Sequence, residues 1–416
     1  MADILILADD LSGAADCAGV CLSAGASPLV LIDPTADQGD AGVIAVDVDS
    51  RAKPPLEAGI AMAAAVERLL NSDTKILYQK MDSTLRGSWA RETTCLLQSV
   101  TKVRGVQPLA IVAPAYPAAG RTTLGGRSFL NGTALEDTEV WLREGLTRPA
   151  EPGVWLAAEG LRVAHACIAD IQQGSHQLSA LFAAESKAGA NAIVCDAETE
   201  ADLALIAGAA LMLQPMPLCV GSAGLMSALA RVGERTTCAA PRPVAVAMPV
   251  LILVGSASRV SHEQVRVLAR ERAVSTIVIA PSVLREGLES NQLRVHAEQM
   301  DTALRSGGNL VVTVDGCEGV DLREGPQFSA TLAELVAPRL HRFGGLIATG
   351  GETARALLRG SGVSGLRIHS EVEPGVPLSS ALGAVEIPVV TKAGAFGDSL
   401  TLIRCLDAIR GHSSGV

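Results

Sequence analysis

A regular alternation of short apolar runs with helical patterns is the feature that most constrains the fold of this 416-residue chain. In the first half, the apolar runs predict β-strands and the longer patterned stretches predict helices. The expected strands are residues 4–8, 43–48, 76–80, 109–113, 193–196 and 218–221, and the expected helices are 56–70, 176–188 and 200–213. Such alternation indicates right-handed βαβ units on a largely parallel sheet.

The amino-acid composition changes at about residue 234, and a second alternating series follows. Residues 234–249 contain three prolines and no sustained period, which is typical of a linker. Strands are then expected at 250–254, 276–280, 310–314, 346–349 and 385–391, and helices at 262–271, 293–306, 331–341, 352–358 and from about 399. We therefore predict an α/β chain of two domains, 1–235 and 250–416, joined by a linker at 236–249.

One stretch of the first half does not follow the alternation. Residues 115–139 are rich in Gly, Thr and Pro, and we interpret them as a long functional loop.

Each domain is expected to hold a largely parallel sheet flanked by helices, with the active site in the cleft between the domains.

Composition excludes several classes of function. Aromatic residues make up only 2% of the chain and the formal net charge is -10, so neither base stacking nor a basic nucleic-acid footprint is expected. No apolar stretch approaches the length of a membrane span, and the N-terminus lacks the basic flank of a signal peptide. The nine cysteines are scattered and odd in number, which argues against disulfides and structural zinc. A cytoplasmic protein without nucleic-acid or membrane partners is therefore expected.

Two charged segments stand at the ends of predicted strands, where ligands gather in open α/β sheets. Asp9 and Asp10 follow the first strand, where they could hold substrate hydroxyls, a metal ion or a proton in transfer; alternatively, one of them caps the next helix. The segment Lys80–Gly87 reads KMDSTLRG, and its Lys and Arg could cradle a carboxylate or phosphate. The alternative is an ordinary solvated turn capped by Asp82 or Ser83.

Three further turns could hold a ligand. Residues 114–123, PAYPAAGRTT, present Arg121 beside two threonines, or form a plain surface loop. Gly350 and Gly351 open a predicted helix, where free amides suit a phosphate, or form a simple tight turn. Residues 392–399, KAGAFGDS, could form an anion-binding nest, with Asp398 as either a base or a helix cap.

The remaining motifs do not indicate a ligand site or a catalytic function. The GxGxxG of residues 360–365 follows a predicted helix and precedes a predicted strand, the reverse of the dinucleotide fingerprint. The chain has no GxxxxGK[ST], and it lacks the HRD and DFG pair of protein kinases. The seven histidines form no metal-binding spacing.

Together and in this order, the segments resemble the four-carbon acid sugar kinase family. The likeness is carried by ADDLSGAAD, KMDSTLRG and PAYPAAGRTT in the first half and by GSAS, GGETA and KAGAFGD in the second. It implies an N-terminal acid-sugar-binding domain, a C-terminal nucleotide-binding domain, and phosphorylation by ATP of the 4-hydroxyl of D-threonate, D-erythronate or 3-oxo-tetronates. The form KMDSTLRG is more similar to the threonate and erythronate kinases, and D-threonate is the favoured substrate.

The resemblance also implies roles for single residues. The sugar acid would be bound by Asp9, Asp10, Lys80, Asp82, Ser83, Arg86 and Arg121. ATP would contact Ser258, Gly350, Gly351, Glu352, Thr353 and Gly394. The cofactors implied are ATP and Mg²⁺, no metal ligand is assigned, and a homodimer is a possible assembly.

The catalytic base stays open between Asp10 and Asp398, with Asp398 favoured. Many family members have Ser and Asn where this chain has Ala393 and Ala395, so two side-chain hydrogen bonds near the phosphates would be lost. That departure favours one alternative, a non-catalytic sensor of sugar acid and nucleotide. A second alternative, an NAD-dependent sugar-acid dehydrogenase, is favoured only by the misplaced GxGxxG.

Overall fold

The computed structural model describes residues 2–22, 25–26, 28–146, 148–232, 246, 248–256, 258–315 and 324–411. The chain divides into two compact units. We call them the N-unit, Met1–Pro28 with Asp37–Ala239, and the C-unit, Leu29–Ala36 with Ala240–Val416. The C-unit therefore includes a short segment from the first half of the chain. Most of the expected linker lies outside the described residues.

The first half of the chain forms eleven strands and nine helices in the described ranges. In chain order they are β1 Ile4–Ala8, α1 Leu11–Leu22, β2 Pro28–Leu31, β3 Val43–Asp47, α2 Pro55–Leu69, β4 Ile76–Lys80, α3 Trp89–Arg104, β5 Ala110–Ala113, β6 Arg121–Leu124, β7 Arg127–Leu130, β8 Thr133–Ala134, α4 Glu139–Glu144, α5 Pro152–Ala158, β9 Val163–Ala166, α6 Ile168–Ile171, α7 Ser175–Lys187, β10 Ala192–Cys195, α8 Glu200–Leu211, β11 Leu218–Gly221 and α9 Ala223–Val232.

The N-unit is built on seven parallel strands in the order β3-β1-β4-β11-β5-β10-β9. Strands β1, β3, β4, β5, β10 and β11 are buried along their whole length. Continuous Val, Ile, Leu and Ala runs suit strands that are covered by helices on both faces. Helix α8 begins at a capping box, in which Thr199 accepts the Asp202 amide at 3.2 Å and Asp202 accepts the Thr199 amide at 2.9 Å.

The long loop expected at residues 115–139 is wrong as an interpretation of the backbone. Strands β6, β7 and β8 form a small antiparallel sheet there. The short strands escaped the pattern because Gly125 and Gly126 make a tight turn between two runs of only four residues. The segment is therefore a platform of paired strands, and Arg121 is the first residue of its first strand.

The second half of the chain forms seven strands and six helices in the described ranges. They are β12 Val250–Val254, α10 Arg259–Glu271, β13 Val274–Ile279, α11 Pro281–Glu286, α12 Asn291–Arg305, β14 Asn309–Val314, α13 Gly325–Val336, β15 Gly345–Thr349, α14 Gly351–Gly360, β16 Val363–Glu373, β17 Val376–Gly383, β18 Pro388–Lys392 and α15 Thr401–Ile409.

The C-unit sheet is parallel on one side and antiparallel on the other. Strands β13-β14-β12-β15-β18 run parallel, and β17, β16 and β2 continue the sheet antiparallel. Strand β2 pairs with β16 through Leu29, Val30 and Leu31, opposite Arg367, Leu366 and Gly365. The sequence patterns did not predict β2, β16 or β17.

The predicted α/β class, with a largely parallel sheet flanked by helices in each half of the chain, is confirmed. The GxGxxG of residues 360–365 lies between the end of α14 and the start of β16, the order that argued against a dinucleotide site. None of the helices within the described ranges has the length and apolar character needed to cross a membrane.

Candidate active site

A cluster of charged side chains in the N-unit lies where β1 and its neighbour β3 end. Arg51, which follows β3, donates from Nε and Nη2 to the two oxygens of Asp9 at 2.7 and 2.8 Å. Its Nη1 donates to Oδ2 of Asp10 at 2.6 Å. The backbone repeats this link, because the Asp9 carbonyl accepts the amides of Ser50 and Arg51 at 3.0 and 3.1 Å. One guanidinium therefore holds both aspartates of the ADD motif.

Burial and charge together set the protonation of this cluster. Asp9 is 1% exposed. Burial raises the pKa of its carboxyl, Arg51 opposes that shift, and the Asp10 charge adds to it. Burial lowers the pKa of Arg51, but the charges of Asp9 and Asp10 outweigh burial and hold that pKa well above its usual value. Arg51 therefore stays a cation, and three of its five N–H groups engage carboxylates in the described structure.

Asp10 has two hydrogen-bond partners, so it both caps a helix and belongs to the charge cluster, the two roles that the sequence left open. Its Oδ1 accepts the Gly13 amide at 2.7 Å, as a helix cap does for α1, while its Oδ2 faces Arg51. A Cβ at residue 13 would lie 2.7 Å from Asp10 Oδ1 and 3.0 Å from Lys80 Nζ. Only glycine leaves room for both polar groups, which explains the glycine of the DDLSG motif.

Lys80 ends β4 beside this cluster and is buried. Its Nζ donates to the Met81 carbonyl at 3.0 Å. Burial lowers the pKa of Lys80, but the Cys17 thiol and the two carboxylates Asp9 and Asp10 outweigh it, and the net pKa is raised. A buried ammonium that stays charged is suited to an anionic ligand.

Arg86 was expected to bind a carboxylate, and in the structure it binds the one of Asp82. Arg86 Nε and Nη2 donate to the two Asp82 oxygens, both at 2.9 Å, and Arg86 Nη1 lies 3.6 Å from Glu144 Oε1. Thr84 donates to Asp82 from its amide at 3.1 Å and from its hydroxyl. Burial raises the pKa of Asp82, but the Arg86 hydrogen bonds and nearby cations outweigh it and hold that pKa well below its usual range.

Backbone strain marks the same loops. Three non-glycine residues in the described ranges have positive φ: Asp49 at 54°, Leu85 at 61° and Asn131 at 51°. Asp49 precedes Arg51 and Leu85 precedes Arg86, while the Asn131 amide donates to the Gly120 carbonyl, next to Arg121, at 2.7 Å. Such conformations persist where surrounding contacts enforce them, and they are common at binding sites.

Arg121 is the first residue of β6, in the small sheet. Its Nη1 donates to the Ala119 carbonyl at 3.3 Å, and its Nε is buried without a hydrogen-bond partner among the described residues. Asp196, at the end of β10, fixes the platform by accepting the amides of Gly125 and Gly126 at 2.8 and 2.9 Å. Within the described residues, neither Arg121 nor Ser83 is hydrogen-bonded to the cluster of Asp9, Asp10, Lys80, Asp82 and Arg86.

Sequence reasoning missed two charged residues of this region. Arg51 could have been found, since it also follows a predicted strand end. Glu92 could not, because it lies inside helix α3, where Gln79 Nε2 donates to its Oε2 at 3.3 Å. The Glu92 side chain is fully buried, and its Oε1 and the hydroxyl of Ser50 have no hydrogen-bond partner in the described structure.

Glu92 titrates in the neutral range. Burial raises its pKa to about 7, the Asp9 charge adds to the rise, and Gln79 and Arg51 oppose it. The folded-state pKa is above the unfolded value of 4.5. The stability that this group contributes is therefore complete below about pH 4.5 and is lost as the pH rises through about 7.

Glu92→Gln should therefore remove a pH-dependent loss of stability. Between pH 5 and pH 8 we expect the free energy of unfolding of the variant to rise by about 2 kcal/mol relative to the wild type. Urea unfolding of both proteins at the two pH values measures this difference. Glu67→Gln is the matched control, since Glu67 pairs with Lys102 on the surface and its pKa is lowered. Parallel pH profiles of wild type and Glu92→Gln would contradict the expectation.

The second group of candidate residues meets at the ends of three adjacent strands of the C-unit, β12, β15 and β18. The Gly255 amide donates to the Thr349 carbonyl at 3.2 Å, and the Gly350 amide donates to the Lys392 carbonyl at 2.9 Å. A Cβ at Gly394 would lie 1.9 Å from Ser256 Oγ, so the turns after β12 and β18 are in close contact. Ser258 caps α10 by accepting the Val260 amide at 3.2 Å.

The GGET turn opens α14, a helix of ten residues. The amides of Gly351 and Glu352 belong to its first turn, which has no intrahelical acceptors and lies at the positive end of the helix dipole. The side chain of Thr353 points elsewhere: it is buried, and its hydroxyl lies 2.9 Å from that of Ser329. The turn therefore offers backbone amides, which is the arrangement that binds phosphate in many nucleotide sites.

Asp398 has the bonds of a turn-closing residue. Its Oδ1 accepts the Leu400 amide at 2.8 Å and Arg404 Nη2 at 2.7 Å, and its side chain is 65% exposed. The Arg404 hydrogen bond lowers its pKa, so the carboxylate is ionised at neutral pH. Its role as a base stays a prediction.

No group of three or more His, Cys, Asp or Glu side chains in the described ranges could hold a metal ion. Mg²⁺ in ATP sites is bound mainly by phosphates and water, with one or two carboxylates. The exposed Glu352, in the first turn of α14, fits that requirement.

Comparison with known proteins matches both halves of the chain. Residues 4–229 match a family described as a sugar-binding N-terminal domain, and residues 251–402 match a nucleotide-binding C-terminal domain. A D-threonate kinase of Cupriavidus necator is 42% identical over 96% of both chains. Two other D-threonate kinases match at 31% and 30%, whereas D-erythronate and 3-oxo-tetronate kinases match at 27% or less.

Solved structures give the same result for the fold. The Haemophilus influenzae protein HI1011 has a TM-score of 0.76 at 22% identity and covers 98% of this chain and 99% of its own. A Bordetella bronchiseptica protein, a domain-swapped dimer with bound citrate, has a TM-score of 0.50 at 28% identity and covers 98% of both chains. Since relatives named as kinases match along the full length, the chain belongs to the four-carbon acid sugar kinase family.

Proposed function

We propose that this protein uses ATP to phosphorylate the 4-hydroxyl of a four-carbon sugar acid, and that the substrate is D-threonate. The observation that carries the proposal is that the sugar-binding half has a charge cluster and the nucleotide-binding half has amide-rich turns. The choice of acid is supported by sequence identity, which is 42% to a D-threonate kinase and 27% to a D-erythronate kinase.

The N-unit would bind the sugar acid. Its cations suit an anion, because Arg51, Lys80 and Arg86 lie among the carboxylates of Asp9, Asp10 and Asp82 and the buried Lys80 ammonium stays charged. Arg121, on the small sheet, would contribute a further guanidinium. The substrate carboxylate would pair with Lys80 or with the guanidinium of Arg86. Asp9 and Asp10 would accept hydrogen bonds from substrate hydroxyls, and Ser83 would contribute a further hydroxyl. The citrate bound to the Bordetella relative is a small polycarboxylate and supports an anion site in this family.

The C-unit would bind ATP through Ser258, Gly394 and the GGET turn. Amides at the start of α14 and in the turn after β18 would hold the phosphates, and Glu352 would help to bind Mg²⁺, which neutralises phosphate charge when it is bound. Asp398 would accept the proton of the 4-hydroxyl, with Asp10 as the alternative base. Catalysis would consist largely of positioning and charge neutralisation.

A coupled ADP-release assay across D-threonate, D-erythronate, their L-forms and 3-oxo-tetronates tests the function. We expect D-threonate to give the highest kcat/KM. A higher value with D-erythronate would leave the kinase chemistry intact and overturn the choice of substrate. Absence of ADP release with every acid, or binding of NAD in place of ADP, would overturn the kinase.

We further propose a cytoplasmic location and a homodimer. The free thiols of the seven described cysteines fit a reducing compartment. The dimer formed by the Bordetella relative supports self-association. Light scattering of the purified chain should give twice the monomer mass of 42.8 kDa; a monomer at all concentrations would contradict this.

A further inference from the structure

Lys392, the last residue of β18, carries one of the largest fully buried side chains in the described structure. Its Nζ donates to the carbonyl oxygens of Ala393 at 2.9 Å, Gly394 at 3.4 Å and Phe396 at 3.0 Å. An ammonium has three N–H groups. All three hydrogen bonds therefore end on the backbone of the turn that follows β18.

Helix α10 supplies further donors to the same turn. Ser261 Oγ donates to the Gly394 carbonyl at 2.7 Å. Gln264 Nε2 donates to the carbonyls of Phe396 at 3.0 Å and Asp398 at 2.8 Å. The carbonyl groups of the turn are thus drawn toward Lys392 and α10.

The orientation of the carbonyls fixes that of the amides. Within a planar trans peptide, the N–H of a residue points away from the C=O of the residue before it. Since the carbonyls of residues 393, 394 and 396 point to the buried donors, the amides of Gly394, Ala395 and Gly397 point away from them. In the described part of the chain, these three amides donate to no acceptor. Outward amides in such a turn form a site for an anion.

We propose that Lys392 is a positioning residue for the nucleotide: by binding the carbonyls of the turn after β18, it directs three backbone amides toward the ATP phosphates and places a positive charge behind them. This inference deepens the proposed function and rests on ATP binding by the C-unit. It also explains how Ala393 and Ala395 are compatible with phosphate binding, because the amides do not depend on their side chains.

The charge of Lys392 is sensitive to pH. Burial lowers its pKa to about 8, opposed by the Cys405 thiol on α15 and the Glu373 carboxylate on β16. The folded-state pKa is below the unfolded value, so the buried ammonium costs stability at neutral pH. A bound polyphosphate favours the charged form, and nucleotide affinity should therefore fall as the pH rises above 8.

The test is calorimetric titration of the full chain with ADP and, separately, with D-threonate, for wild type, Lys392→Met and Lys75→Met. Methionine keeps the unbranched apolar stem of the side chain, one atom shorter, and removes the donors. At pH 7 we expect Lys392→Met to weaken ADP binding by about tenfold or more, because charge-assisted hydrogen bonds are lost, and to leave D-threonate binding unchanged. Lys75 is an exposed lysine of the N-unit, and its variant should bind both ligands as the wild type does.

The pH profile separates positioning from a merely structural role. The wild type should lose ADP affinity between pH 7 and pH 9.5, and Lys392→Met should show a flat profile over the same range. ADP binding by Lys392→Met within about twofold of the wild type, with the same pH profile, would overturn the inference.

A second variant keeps the test decisive if Lys392→Met does not fold. Ser261→Ala removes one donor to the Gly394 carbonyl and leaves Lys392 in place, so we expect about threefold weaker ADP binding. Wild-type affinity in this variant, together with a flat wild-type pH profile, would also overturn the inference. A wild-type protein that binds no ADP at either pH would defeat the proposed function instead.

Discussion

Arg51→Met should raise the Kd for D-threonate by about tenfold or more, because Asp9 and Asp10, which would accept the substrate hydroxyls, lose the guanidinium that holds them both in place. The variant should also lose about 3 kcal/mol of stability, since Asp9 is buried and would lose both hydrogen bonds from Arg51. ADP affinity should not change, because Arg51 belongs to the N-unit. Calorimetry with each ligand and a urea unfolding curve measure all three quantities.

A double variant distinguishes a binding role of Arg51 from a structural one. Adding Asp9→Asn to Arg51→Met removes the uncompensated buried charge and should restore most of the lost stability. D-threonate binding should stay weak, because the guanidinium is absent, and Asp9→Asn alone measures how much of the loss comes from the missing Asp9 carboxylate. Recovery of both stability and binding would show that Arg51 only supports the fold. Arg272→Met is the matched control, since it breaks the 2.9 Å pair with Asp407 in the C-unit and should leave D-threonate binding unchanged.

Asp398→Asn should lower kcat by roughly 10²- to 10⁴-fold if Asp398 is the general base. Its melting temperature should change little, because asparagine keeps an oxygen for the Leu400 amide and the ion pair with Arg404 is exposed. The low pKa of Asp398 keeps it ionised and able to accept a proton at neutral pH, although a weak base gains less from transfer. Steady-state kinetics with D-threonate and a thermal melt test both expectations.

Asp10→Asn should act differently. Asparagine can still cap α1 through the Gly13 amide, but the charge that faces Arg51 is lost. We therefore expect a higher KM for D-threonate and a smaller change in kcat. The reverse pattern, in which Asp10→Asn has the large loss of kcat, would make Asp10 the base. Near wild-type turnover in both variants would remove a carboxylate base from the mechanism.

Ten of the eleven predicted parallel strands begin and end within two residues of the observed strands, because most are buried runs of Val, Ile, Leu and Ala bounded by polar residues. The strand expected at 385–391 begins three residues later, at Pro388, and β9 was not predicted. The hairpin of β16 and β17 escaped prediction for the opposite reason. Arg367, His369 and Glu371 interrupt its apolar positions, and its pairing shifts register along the way. A pattern with period two is lost when the register changes.

The site was predictable where it follows strand ends and hidden where it depends on tertiary contacts. Asp9 and Asp10 were visible in sequence, but their common partner Arg51 is 42 and 41 residues away. The same holds for the buried Glu92, whose titration depends on packing around α3. In the sequence, Lys392 is simply a lysine that precedes a glycine-containing turn. Its hydrogen bonds to the carbonyls of that turn are visible only in the folded chain.

Strand β2 belongs to the C-unit sheet but is synthesised long before the other strands of that sheet. Leu29–Leu31 leave the ribosome early in synthesis, yet their partner strand β16 is completed only at residue 373. The C-unit sheet therefore cannot close until nearly the whole chain has been made, and non-local pairing of this kind folds slowly. A fragment that begins at Val250 would lack β2 and leave the edge of β16 open to pairing with other chains. Nucleotide binding by this protein is accordingly a property to measure on the intact polypeptide, because β2 cannot pair with β16 before residue 373 has been made.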